Sequence, residues 1–281
     1  MNDLRKYLPL IKYANDTMLA NANFLVEKQI GILNSSIDLL HDLEGLGECI
    51  LPSKDLSEKE QNRMYEKYLM YPMLLHIVYP NMYFLPVLIL LGALPHTFYS
   101  IRTSLEAVTI ALYADEKDDL KEMKWLEKLR QDSIKYASFG NIKSSLDKIF
   151  NKVIDGNSAK KWCKYLEDLY QQVSSWIHTV ARIKLDKGDT IITGLLKATT
   201  LKIFEYNVPP SFGLTLPTKY NEVDIENLYY LDEIIGHFRL AVAVMIYVWA
   251  YNKDVNNKKC VEEYFNKAYE KYIERYQKYD Q

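Results

Sequence analysis

Turn-forming residues are scarce: the 281 residues include only 10 glycines and 9 prolines. Sheet proteins with many tight turns draw on more of both, so the shortage favours helices. Neither sign of charge dominates. With 35 Lys and Arg against 37 Asp and Glu, the formal net charge is −2. That excludes attachment to nucleic acid by bulk charge, though not by a local basic patch. The three cysteines, Cys49, Cys163 and Cys260, are widely separated and form no Cys-x-x-Cys pair. Such spacing excludes a zinc ribbon or a dense disulfide framework and predicts reduced thiols. The opening residues, Met1-Asn2-Asp3-Leu4-Arg5-Lys6, lack the apolar run of a secretory signal, so the expected location is the cytoplasm.

Familiar catalytic signatures are missing too. There is no phosphate-cradling P-loop, G-x-G-x-x-G turn, H-E-x-x-H helix or G-x-S-x-G elbow. Asp115-Glu116-Lys117-Asp118-Asp119 has the acid density of a magnesium–diphosphate site, but the only second cluster is the sparse Asp232-Glu233. These acids read more simply as dipole partners heading a helix. A carboxylate-bridged di-iron bundle needs two Glu-x-x-His pairs; His41 to Glu44 is reversed, and Glu233 to His237 is spaced by four. No cofactor and no metal is expected.

What is present is helical periodicity. The 48% apolar and 26% charged shares are those of a globular protein, and a chain this long buries roughly three quarters of its unfolded surface. Between Lys164 and Lys184, Leu166, Leu169, Tyr170, Val173, Trp176, Ile177, Val180 and Ile183 recur at three- and four-residue steps, the stripe of an amphipathic helix. A second long helix, capped by Asp224, is expected from Ile225 to about Asn252, apolar on every face over Leu240 to Tyr251. Val261 to Tyr279 repeats the pattern, and the first 45 residues suit one or two helices ending near Gly45 and Gly47. Leu51 to Lys59 reads as a loop and a capped helix start. Six of the nineteen glycines and prolines fall in Asp186 to Val223, an expected irregular loop with short strands at Thr190–Thr193 and Lys202–Tyr206. The expected fold is one all-α bundle around a central apolar helix. N-terminal helices run to about residue 60, the core occupies 61–185, the loop 186–223 and C-terminal helices 224–281.

Two stretches depart from the average. Tyr68 to Ile101 contains no charged residue, longer than the roughly 20 apolar residues that span a bilayer. Pro72, Pro80, Pro86 and Pro95 interrupt it, so a buried core segment is expected ahead of a membrane-associated one. Lys128 to Lys164 holds nine Lys and Arg against three acids, a surplus of six. It is either a solvated helical pair or a phosphate-contacting arm, with Lys148, Lys152, Lys160 and Lys161 as candidate nucleic-acid contacts.

Arg102 and Glu106 are the only charges between Lys67 and Asp115, at i and i+4 on an apolar helix. Gln171, Ser174, His178 and Arg182 follow one another on the polar side of the 164–184 helix. Their convergence would make either a structural polar network or an acid–base site. If structural, loss of Glu106 would cost roughly 3–5 kcal/mol.

Arg102-x-x-x-Glu106, the basic helical pair and Val173-Ser-Ser-Trp-Ile-His178, over roughly Leu88 to Ile183, resemble the HEPN superfamily. The resemblance implies an α-bundle that binds nucleotides or RNA, often as a dimer in defence or stress systems. It also implies a metal-independent ribonuclease with catalytic candidates His178, Arg102, Glu106, Arg182 and Ser174. None of the five histidines has the family's Arg four to six residues upstream. The alternatives are a non-catalytic interaction or scaffold protein, suited to 23 tyrosines, and a peripheral membrane protein using Tyr68 to Ile101.

Overall fold

The computed structural model describes residues 8–177, 217–251 and 253–276. It is an all-α bundle. Helices α1 (Leu8–Glu27) and α2 (Ile32–Cys49) are followed by α3 (Glu58–Lys67), α4 (Met70–Met73), a π-helical turn (Leu74–Val78) and α5 (Tyr79–Leu90). Then come α6 (Leu94–Glu116), the single turns α7 (Trp125–Lys128) and α8 (Asp132–Lys135), α9 (Phe139–Phe150) and α10 (Gly156–Ile177). Beyond residue 217 lie α11 (Ile225–Ala250) and α12 (Lys258–Tyr276). No strand occurs among the described residues, only an isolated bridge between Pro52 and Val255.

The all-round apolar pattern of α11 has the expected consequence: 83% of its most apolar window is buried. It packs on α2, α6, α10 and α12, and α6 in turn packs on α5, α9 and α10. Local chemistry sets the ends. Ser57 accepts from the Glu60 N–H while the Glu60 carboxylate accepts from the Ser57 N–H (2.9 Å), a capping box that starts α3. The Ser57 hydroxyl, donating to that carboxylate at 2.6 Å, and then the Ser57 N–H hold the Glu60 carboxyl below its ordinary value. Gly92 closes α5 with φ +68°, where a Cβ would strike the Thr218 carbonyl. Asn21, fully buried, binds this turn to the returning chain. It donates to Leu90 O (2.8 Å) and Thr218 O (2.9 Å) and accepts from Tyr220 N–H (2.7 Å).

Several expectations are corrected. Cys49 and Cys260 are not free thiols: they form a disulfide, Cα atoms 5.8 Å apart across 211 residues of sequence, because the end of α2 meets the start of α12. Cys163 is free and buried, and burial pushes its thiol well up. The acids from Asp115 do not head a helix; Asp115 and Glu116 end α6, where the dipole does not favour them and other partners must. Asp224 does not cap α11 but accepts one turn earlier from the Asn221 N–H (2.9 Å). The uncharged run divides. Its α6 part is core, but only 28% of the Met70–Leu90 window is buried, since this stretch lies at the edge of the bundle against α2 and α6. Leu75, Tyr83, Phe84 and Val87 face solvent. The expected strands at 190–193 and 202–206, and the loop up to residue 216, lie outside the described residues.

Candidate functional site

Arg102 and Glu106, one turn apart on α6, point toward α10. The Arg102 Nη2 donates to Glu106 Oε1 at 3.2 Å and to the Tyr170 hydroxyl at 3.1 Å. Tyr170 donates its own proton to the same Glu106 oxygen at 2.6 Å, closing a triangle between the two helices. Phe139 of α9 stacks on the Tyr170 ring (5.6 Å, 18°), and the guanidinium lies 5.4 Å from that ring. Burial would lower the Arg102 guanidinium, but the Tyr170 hydrogen bond and Glu106 charge raise it above its ordinary value. Burial and then the Glu106 hydrogen bond push the Tyr170 phenol up.

Tyr170 belongs to the apolar stripe by spacing; only its hydroxyl, facing an ion pair, marks it as polar. Ser174 stands one turn further along α10, its hydroxyl enclosed without a hydrogen-bond partner among the described residues. His178 and Arg182 lie outside the described residues. The Arg102 and Glu106 side chains remain 19% and 34% exposed. Glu106→Ala is therefore expected to cost about 1–2 kcal/mol rather than a fully buried pair's 3–5, because water and Tyr170 still serve the guanidinium. Tyr170→Phe should cost about 1 kcal/mol. Urea unfolding of both variants checks the order.

The basic run separates into unlike parts. Lys128 belongs to no exposed arm; it and Asp115 are both 0% exposed, 2.6 Å apart. Asp115 also accepts from Leu69 N–H (2.8 Å), Met70 N–H (3.1 Å) and Trp249 Nε1–H (2.9 Å). One carboxylate thus joins α4, α6, α7 and α11. Burial lowers the Lys128 ammonium while Asp115 opposes that shift. The Tyr68 ring has Lys253 at 4.9 Å, Lys67 at 5.6 Å and Lys128 at 5.8 Å from its centroid, and burial followed by Asp115 pushes its phenol up to about 12.

Above this lock opens a polar cleft of two adjoining cavities, about 250 and 440 Å³, which share Glu116, Asp118 and Lys152 as lining. Most lysines here are neutralised one for one: Lys253 by Glu116 (2.5 Å), Lys67 by Glu122 (2.9 Å), Lys117 by Asp119 (3.2 Å) and Lys121 by Asp118 (3.3 Å). Lys148 on α9 and Lys152, one turn beyond, line the cleft too, exposed and with no acid paired to them among the described residues. They leave it a surplus of positive charge. Lys160 and Lys161 lie in the first turns of α10 and do not line these cavities. Comparison with protein-family models, curated proteins and solved structures gives no match.

Proposed function

We propose that the chain is a HEPN-like helical protein that binds a phosphate-bearing ligand, RNA or a nucleotide, over the α6–α9 cleft. The observation carrying this reading is the unneutralised pair Lys148 and Lys152, amid lysines that each already hold an acid. Lysines without acid partners lose little on meeting a phosphate, whereas paired ones must first give up a carboxylate. Binding is proposed ahead of ribonuclease activity. A cleavage step would rest on His178 and Arg182, while Arg102, Glu106 and Tyr170 already hold one another.

Fluorescence anisotropy with labelled single-stranded RNA, run across a salt series, tests it. Reversing Lys148, Lys152, Lys160 and Lys161 to Glu together should weaken binding at least about tenfold, evenly across sequences. The slope of log affinity against log salt should flatten by at least about 1.4, near 0.7 for each of the two cleft lysines, Lys148 and Lys152. An unchanged slope, or no salt-dependent binding by the wild type, rejects the reading.

A second reading, a scaffold or homodimer, is supported by apolar side chains that α1 leaves in solvent: Leu8, Leu10, Ile11, Leu19 and Val26. Light scattering over a concentration series separates the two. A dimer without nucleic-acid affinity favours the second.

A further inference from the structure

Between the end of α2 and the α3–α5 segment lies an open pocket of about 670 Å³, within the range of small-molecule sites. A local irregularity of the backbone forms one wall. Pro80 has no N–H to give the His76 carbonyl, and the chain widens just before it into the π-turn Leu74–Val78, where Tyr79 N–H reaches back to Leu74 O. Such turns break helix register and frequently stand at functional sites.

The walls are rigid aromatic rings. Tyr71 donates to Ile50 O (2.8 Å) and Tyr79 to Leu43 O (3.1 Å), so both rings are tied to the α2 backbone. Gly47 makes room for the Tyr79 hydroxyl, which a Cβ there would strike. Tyr65 packs edge-on to Tyr71 at 5.0 Å, and Trp125 completes the wall. At the mouth stand Glu44 and Glu48, one turn apart on α2 and both exposed; Tyr83 donates to Glu44. No Lys or Arg lines the cavity, the exposed His76 being its one basic side chain, and neither glutamate has an ion-pair partner among the described residues. The site is therefore apolar and aromatic inside, and negatively charged at its rim.

We infer that this cavity is a binding site for a small organic cation with an apolar body, of the alkylammonium or quaternary ammonium class. Aromatic faces attract such cations, and most strongly where water is excluded. The two carboxylates supply the counter-charge, and a hydrated metal ion would gain nothing from the rings. An anionic ligand would meet Glu44 and Glu48 as repulsion, and a neutral one would leave them unanswered. The site is separate from the lysine cleft and takes the opposite sign of charge.

Isothermal titration with benzyltriethylammonium tests the assignment, with benzyl alcohol and benzenesulfonate as neutral and anionic controls. The cation should bind saturably, at least about tenfold more tightly than either control. The doubly neutralised variant Glu44→Gln with Glu48→Gln changes two exposed side chains. It should keep the wild-type circular dichroism and lose about tenfold in cation affinity. No saturable heat up to millimolar probe, equal affinity for benzyl alcohol, or undiminished binding by the folded double variant would each overturn it.

Discussion

Asp115→Ala is expected to destabilise the protein by about 3–5 kcal/mol, the largest loss of any single side chain here. The substitution strands the fully buried Lys128 ammonium and orphans three N–H donors, from Leu69, Met70 and Trp249, in a place water does not reach. Lys128→Met should cost less, about 1–3 kcal/mol, because the carboxylate keeps those three donors while the methionine fills the space of the lysine stem. Denaturant midpoints at constant m-value measure both. A loss below about 1 kcal/mol for Asp115→Ala would mean that α4, α7 and α11 do not depend on this carboxylate for their docking.

The second large effect belongs to a pair that joins α2 to α11. Asp42 and Arg239 are bonded to one another and nearly buried, with Lys267 of α12 at 3.5 Å from the other carboxylate oxygen. Asp42→Ala leaves Arg239 charged in the core, and a cost of about 3 kcal/mol is expected. Arg239→Met should be milder, since Lys267, mostly exposed, can still answer Asp42. Replacing both, with Asp42→Leu and Arg239→Met, is expected to recover most of the stability, because a well-packed apolar pair avoids the desolvation of two charges. A double-mutant cycle reads the coupling. Additive single losses would show that the two side chains are not energetically linked.

Neither of these pairs was legible as a pair. Asp115 stood out in the sequence only as part of an acidic run, and Lys128 only as one of nine basic residues between 128 and 164. Lys128 and Lys148 have the same chemistry and similar surroundings along the chain. One is locked in the core and the other lines an open cleft. Tyr170 was legible as part of an apolar stripe, which it is, but not as the hydroxyl that joins Arg102 to Glu106. The π-turn had its signal in Pro80, since a missing N–H must be accommodated wherever the helix runs on. What no signal announced was that the widened turn would face Tyr65, Trp125 and two glutamates.

The sequence alone determined the all-α class, the stripes of α10 and α12, the all-round apolar end of α11, a capped helix start within 51–59 and the burial of α6 and α11. Each of these depends on neighbours within one or two helical turns, where a 3.6-residue period or a cap–N3 pair is written directly into the order of residues. Tertiary structure decided that Cys49 meets Cys260, that Asp115 collects donors from three other helices, and that one side of an uncharged run faces solvent. Those outcomes depend on which faces of distant helices come together. A contact across 46, 134 or 211 residues leaves no period in the chain, so only packing, choosing one arrangement of the same stripes, could create it.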